Sequence, residues 1–436
     1  MNQNTASKPN HTFLPVAKQF QYKKGELYAE NHTLTALAEK YGTPLYVYSR
    51  KALNQAWESY AQAGKGRAML VCYGMKANSN LAVLQEFARL GAGFDIVSGG
   101  ELARVLAAGG EANKVVFSGV GKQSWEIEYA LKAGIKCFNV ESRSELLRVA
   151  QIAREKNSIA PISLRVNPDV DARTHPYIST GLKDNKFGVD INDAVDIYQE
   201  AKKLPSLKIV GLDCHIGSQI TEISPYLDAL EKLIQLIKTL EQTGIHLSHL
   251  DIGGGLGIRY TDETPATPTM LLNPVFKALE QANLGHLELI LEPGRSLVGN
   301  AGVLLTRVEY LKASETKNFA VVDAAMNDLI RPTLYDAWHQ VLPVALNHNN
   351  PKRVYDVVGP VCESGDWLAK DRELNLAEGD LLAVMSAGAY AFTMASQYNS
   401  RPRAAEVMVD GDKSHLIRRR EEIQELFAHE HLLPEK

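Results

Sequence analysis

From about residue 66 to 295 one unit recurs: a short apolar run closed by glycine or a polar residue, then an amphipathic stretch with helical spacing. The runs are MLVCYG (69–74), GFDIVS (93–98), VVFSG (115–119), CFNV (137–140), ISLRVN (162–167), IVGLDCHIGS (209–218), HLDIGGG (249–255) and LELILEPGR (287–295). Between them lie helical patterns such as NLAVLQEFARLGA and YLDALEKLIQLIKTLEQTG, each closing near a glycine able to cap it. Strands this continuously apolar are covered on both faces, as in a parallel sheet. Eight strand–helix units spaced by about 20 to 40 residues predict an α/β fold, a parallel (β/α)8 barrel of the TIM type. The unequal spacing argues against a solenoid.

After 295 the pattern changes. LVGNAGVLLTRVEYLKAS, NFAVVDAA, VYDVVGPVC, DLLAVMSAGAY and AAEVMVD are short, β-rich and separated by turn signals, with little helix before SHLIRRREEIQELFAHE at 414–430. At 436 residues the chain is too long for one ordinary core. The expected organisation is a flexible segment over 1–24, a lead-in over 25–50 whose LYVYS run is a candidate to join the β domain, a barrel over 51–295, a C-terminal β-sandwich or β-barrel domain over 296–425, and a tail over 426–436.

A formal net charge of -4 makes nucleic acid and anionic membrane surfaces poor partners. No window carries the roughly 18 apolar residues of a membrane span, and the first twenty residues lack a secretory apolar core. Cys72, Cys137, Cys214 and Cys362 are far apart with no CxxC spacing, which predicts neither a zinc site nor a disulfide framework and fits a reducing cytoplasm.

In such barrels chemistry collects at the C-terminal ends of the strands. Those ends offer Lys76 in YGMKAN, Asp95 and Ser98, Asn167, His215 and Ser218 in HIGSQ, the glycines Gly253, Gly254, Gly255 and Gly257, and Glu292, Gly294 and Arg295 in EPGR. A lysine over the barrel mouth, ahead of an N-cap-like Asn78–Ser79, is partly desolvated; its lowered pKa frees an amine for a Schiff base. Taken alone it also reads as a solvated loop lysine. The glycine run after a strand exposes N–H groups to a phosphate, or simply makes a tight turn. Glu292 and Arg295, on either side of Pro-Gly, aim a carboxylate and a guanidinium into one cavity, or form a surface ion pair. His215 and Cys362 read equally well as buried structural residues. What separates the readings is that so many of these groups converge on one rim.

YGMKAN, HIGSQ, GGGLG, EPGR and GPVCESGD stand in this order over about residues 25–425, and together they resemble the fold-type III pyridoxal-phosphate decarboxylases, with their alanine-racemase-like barrel. RVNPDVDARTHPYISTGLKDNKFGV and NDLIRPTLYDAWH look like the diaminopimelate branch of that family. The chain departs from the usual pattern at Gly74, where alanine is common, and at Ala324–Ala325, where a glycine is usual.

The resemblance implies an enzyme, a carboxy-lyase that binds pyridoxal 5'-phosphate, needs no metal and decarboxylates meso-2,6-diaminopimelate to L-lysine and carbon dioxide, the last step of lysine biosynthesis. It assigns Lys76 to the covalent cofactor link, Asp95 to the cofactor site, His215 to stacking on the ring and Glu292 to the pyridine nitrogen. A related racemase has arginine at that last position, so the acid favours decarboxylation. Ser218, Gly253, Gly254, Gly255, Gly294, Arg295 and Tyr390 would bind the rest of the cofactor. Arg295, Arg331 and Tyr335 would meet the distal substrate carboxylate and Glu363 the distal amine, Tyr390 would place a hydroxyl near the substrate, and Cys362 would return the proton. It further implies a homodimer with active sites shared across the interface. Sibling activities on carboxynorspermidine, ornithine or arginine are the near alternatives. Arg331 and Tyr335 argue against the last two, because bidentate carboxylate recognition suits a substrate with a second carboxylate. A non-catalytic binding relative is the remote alternative, opposed by the retention of Lys76, the glycine loop and Cys362.

Overall fold

The computed structural model describes residues 17–171, 186–346 and 350–435. The eight apolar runs form eight parallel strands: Met69–Gly74, Gly93–Ile96, Val115–Phe117, Cys137–Val140, Ala160–Asn167, Leu207–Asp213, His249–Asp251 and Glu288–Leu291. Each pairs in parallel with the next, and the eighth returns to the first with Leu289 opposite Met69 and Leu291 opposite Val71. The sheet therefore closes, which removes both free edges. Helices cover its outside through apolar stripes such as Leu230, Leu233, Ile237 and Leu240 on Ser224–Gln242.

The second domain is a mixed sheet built around the long strand Gly302–Ala313. Leu45–Ser49 joins it, antiparallel to Gly302–Ala313 and parallel to Ala405–Asp410. Its alternation explains the placement. Leu45 and Val47 pack with Val303, Leu305 and Val407 on one face, while Tyr46 and Tyr48 pack with Leu304 and Val384 on the other. The lead-in is thus a central strand of the β domain.

Two expectations are corrected. The segment up to residue 24 contains the strand Phe20–Lys23, paired with Glu26–Ala29 through a two-residue turn in which Lys24 and Gly25 both have positive φ. Burial of Phe20 and Leu27 in the β-domain core holds it there. The stretch 414–430 is not a long helix. Lys413–Arg418 is a strand antiparallel to Ala405–Asp410, turned by Gly411–Asp412, and only Ile423–Phe427 is helical, as a short 3-10 segment. The Asp410–Gly411 dipeptide is a hairpin signal that outranked the helical spacing. Among the described residues no helix is long and apolar enough to cross a membrane.

Because Leu45 is fully buried on a strand flanked by two others, Leu45→Ala is expected to destabilise the protein by about 2–5 kcal/mol. Denaturant unfolding measures this; a loss below about 0.5 kcal/mol would show that the strand is dispensable.

Candidate active site

Strand Met69–Gly74 ends in a 3-10 turn, Met75–Ala77, that lifts Lys76 over the barrel mouth. The helix that follows is capped by Asn80, whose side chain accepts from the Ala82 N–H, rather than by Asn78–Ser79. Asn78 is engaged elsewhere: its carboxamide donates to the Gly388 carbonyl of the β domain and accepts from the Asn80 N–H. Lys76 Nζ donates to Asp95 Oδ2 at 2.5 Å. Asp95 is buried, whereas 37% of the Lys76 side chain remains exposed toward the cavity. The expected lowering of the lysine pKa does not occur. Burial pushes it down, but Asp95, Glu292 and Tyr390 outweigh burial and hold the ammonium well above its ordinary value.

Glu292 follows the eighth strand and is buried. Its Oε1 lies 3.4 Å from both the Ser118 hydroxyl and the Asn139 carboxamide nitrogen, and its Oε2 lies 4.0 Å from His215 Nδ1. His215 follows the sixth strand, and its Nδ1 accepts from the Gly254 N–H at 3.2 Å. Burial, with the charges of Arg165 and Lys76, drives its pKa well down, so the ring is neutral. The Gly253–Gly255 loop fits only glycine. Gly253 and Gly255 have positive φ, and a Cβ on Gly254 would stand 2.1 Å from the Glu292 carbonyl oxygen. Gly74, by contrast, has room for a Cβ at ordinary contact distances, so alanine at this position is sterically compatible.

Arg295 and Glu292 form no ion pair with each other. Arg295 Nη2 donates to the Ser218 hydroxyl at 3.0 Å and Nη1 to the Tyr260 hydroxyl at 2.7 Å, and the guanidinium lies 4.8 Å from the Tyr390 ring. Tyr390 has φ +53 and its N–H donates to the Ala77 carbonyl, so the β domain braces the back of the lysine turn. Arg331 opens the short helix Arg331–Tyr335 and lies 4.8 Å from the other side of this arrangement, over the Tyr260 ring. Burial would raise the Tyr260 pKa, but the two arginines outweigh it and lower it. Lys76, His215, Ser218, Gly255, Glu292, Gly294, Arg295, Arg331, Tyr335 and Tyr390 line one cavity of about 380 Å³. A larger depression of about 630 Å³ beside Asn167 and Lys232 lacks this combination of lysine, carboxylate and glycine loop.

Cys362 and Glu363 are not among these lining residues. They are exposed, in a turn after strand Arg353–Val358 that is held by buried Asp366, which accepts from the Val361 and Met326 N–H groups. Much of the 165–189 motif, residues 172–185, lies outside the described residues. Sequence reasoning missed Tyr260, three residues past the glycine loop in GGGLGIRY, and the buried His339 that ends NDLIRPTLYDAWH. It also missed Asp213 and Asp251. Their carboxylates and that of Glu292 have oxygens within 4.8 Å of one another in the barrel interior. Burial first, then repulsion from neighbouring carboxylates, raises Glu292 and Asp251 well above the carboxylate range; burial raises Asp213 to about 7, with Arg165 opposing and Glu141 and Asp95 adding to it. The set therefore retains protons.

These residues fit a pyridoxal group. There is an amine for its aldehyde, a proton-bearing carboxyl for its ring nitrogen, and a flat neutral imidazole. For a phosphate there are glycine N–H groups, a hydroxyl and Arg295, whose buried Nε donates to no described acceptor.

Residues 50–299 match the family model described as "Pyridoxal-dependent decarboxylase, pyridoxal binding domain", which places the barrel and its site in the class of pyridoxal-dependent decarboxylases. The chain is 58% identical over 417 residues to the diaminopimelate decarboxylase of Pseudomonas aeruginosa, covering 95% of this chain and 99% of that protein. It is 57% identical over 409 residues to the enzyme of that name from Haemophilus influenzae, covering 94% and 98%. The crystal structure of diaminopimelate decarboxylase from M. jannaschii in co-complex with L-lysine superposes with a TM-score of 0.92 at 37% identity, covering 97% of this chain and 99% of that one. The chain belongs to the diaminopimelate decarboxylase family.

The Asp213 carboxyl rises from 3.8 to about 7 in the fold. Between those values the folded chain binds a proton more tightly than the unfolded chain, so this contribution is present at low pH and lost as pH rises through 7. In the cofactor-free protein, Asp213→Asn is therefore expected to flatten the fall in stability between about pH 4 and 7. Melting temperatures across that range test it, and identical profiles for variant and parent would refute the assignment.

Proposed function

We propose that this chain decarboxylates meso-2,6-diaminopimelate to L-lysine and carbon dioxide with pyridoxal 5'-phosphate. The observation that carries the reading is one cavity with two chemically distinct ends. The amine of Lys76 and the carboxyl of Glu292 stand at one, and the Arg295–Tyr260–Arg331 cluster with Tyr335 at the other. Among the described residues neither arginine pairs with a carboxylate, so both are available to an anion that the substrate brings. That the M. jannaschii relative is known with L-lysine bound agrees with a site for a two-headed amino acid.

Bound pyridoxal phosphate supplies an electron sink for the pair left behind when carbon dioxide departs. The protein's residues supply the rest. Lys76 would hold the cofactor's carbonyl carbon through its amine, beside Asp95 Oδ2 at 2.5 Å, until the substrate amine took its place. Glu292 keeps a proton at the ring nitrogen. His215 offers an uncharged face for stacking, which avoids repulsion with a protonated ring. Ser218, Gly253, Gly254, Gly255, Gly294 and Tyr390 take the phosphate, aided by Arg295. Arg331, Arg295 and Tyr335 take the distal carboxylate, Glu363 the distal amine, and the Cys362 thiol delivers a proton to the carbon that lost carbon dioxide.

Cys362 and Glu363 do not line the cavity of their own chain, which supports a two-fold homodimer in which the loop of each subunit completes the cavity of the other.

The assay that tests the reaction is carbon dioxide release from meso-diaminopimelate, ornithine, arginine and carboxynorspermidine. A site with paired polar contacts for the distal head should favour the first in kcat/KM by about 10⁴ over ornithine. Lys76→Ala should lose both the yellow bound chromophore and turnover. Equal rates on ornithine, or normal turnover by Lys76→Ala, would overturn the reading.

Sharing of sites has its own test. Lys76→Ala and Cys362→Ala are each expected to be inactive. After subunit exchange about half the dimers are mixed, each with one intact site, so about a quarter of all sites should work. Verified exchange without recovery would place Cys362 in the site of its own chain.

A further inference from the structure

Arg331 is the guanidinium that the proposed function assigns to the distal carboxylate, and a buried residue outside the cavity lining touches it. Arg331 Nη1 lies 2.9 Å from His339 Nε2. His339 Nδ1 lies 2.8 Å from the Met385 carbonyl oxygen. A carbonyl only accepts, so Nδ1 carries the proton and Nε2 presents a lone pair to Arg331. The histidine is fully buried and its ring stands edge-on to Tyr260 at 5.4 Å and 81°. Burial first, then the charge of Arg331, pushes its pKa down to about 3, which keeps the ring an acceptor. Arg331 is thus held on one edge by the imidazole and on one face by Tyr260, whose hydroxyl also accepts from Arg295. With no carboxylate partner among the described residues, these are the groups that set the direction of its free N–H bonds. A neutral acceptor has an advantage over an acid here: it orients the guanidinium without neutralising it.

We propose that His339 is a positioning residue that aims Arg331 and thereby sets the cavity's affinity for a carboxylate at the far end of the ligand. The inference rests on the assignment of Arg331 to that carboxylate. Its test compares two probes on the holoenzyme: L-lysine, which carries a carboxylate, and 1,5-diaminopentane, which is the same diamine without it. The ratio of their dissociation constants isolates the carboxylate contact.

Two substitutions separate aim from bulk. In His339→Gln the carboxamide reaches the Nε2 position and can accept from Arg331. In His339→Asn it reaches only the Nδ1 position and keeps the Met385 contact. His339→Asn is expected to weaken lysine binding by about 10- to 100-fold, the loss of one hydrogen bond to a charged group, while diaminopentane binding is unchanged. His339→Gln should keep the preference for lysine within about threefold. Arg331→Met, run in parallel, should lose it.

If Arg331→Met loses the preference but His339→Asn keeps it, or if Gln and Asn lose it equally, His339 does not aim Arg331 and the inference is wrong. If Arg331→Met itself keeps the preference, the assignment of Arg331 fails and the inference falls with it. Should His339→Asn not fold, His339→Ala takes its place, with added imidazole required to restore lysine affinity; no restoration refutes the proposal.

Discussion

The parallel pairing of the eighth barrel strand with the first governs the site. Leu289 and Leu291 lie opposite Met69 and Val71, and the Gly74 N–H donates to the Pro293 carbonyl at 3.0 Å. That closure sets the end of one strand, with Lys76, beside the end of the other, with Glu292. The second strand, in register with the first through Gly74 and Asp95, brings the Lys76 partner. A lysine among buried carboxylates is costly to assemble unless each charge has a partner or keeps a proton. Here Lys76 pairs with Asp95, Arg165 pairs with Glu141 at 3.2 Å, and the Asp213–Asp251–Glu292 set retains protons. The interior is thus charged where each charge has a partner and protonated where repulsion forbids it.

The β domain shapes the same site from behind. Tyr390 reaches the turn of Lys76 through the Ala77 carbonyl, and Asn78 reaches Gly388. Asn80 donates to Glu406, whose other oxygen accepts from the Tyr48 hydroxyl. The residues just after Lys76 therefore bond to one domain while its strand belongs to the other. Arg331 and Tyr335 arrive from the β domain and meet Arg295 and Tyr260 from the barrel in one cavity. The cavity thus draws its lining from both domains, at a boundary of the kind where ligand sites commonly lie.

The barrel was legible because parallel strands buried on both faces leave continuous apolar runs, and all eight fall where MLVCYG through LELIL place them. Short half-exposed strands leave less. Phe20–Lys23 and Lys413–Arg418 depend on hairpin turns whose Lys24–Gly25 and Asp410–Gly411 signals are two residues long. In the site, the motif lysine, histidine, glycines and arginines line or adjoin one cavity, as their convergence on strand ends suggested. The direction of the Lys76 shift was not legible, since it depends on how closely Asp95 and Glu292 approach. Asp213 and Asp251 read as ordinary strand-end residues until closure brings three carboxylates together. His339 gave no signal of its own, because its role comes from a contact with Arg331 and a carbonyl 46 residues further on.

The central claim is that Lys76, at the junction of the first and eighth strands, is the residue that holds the cofactor. Borohydride reduction of the holoenzyme converts that link to a stable secondary amine, and peptide mass spectrometry then locates the modified lysine. The account predicts the pyridoxyl mass on the peptide containing Lys76 and on no other in stoichiometric amount. Stoichiometric modification of a different lysine, with Lys76 unmodified, would contradict it.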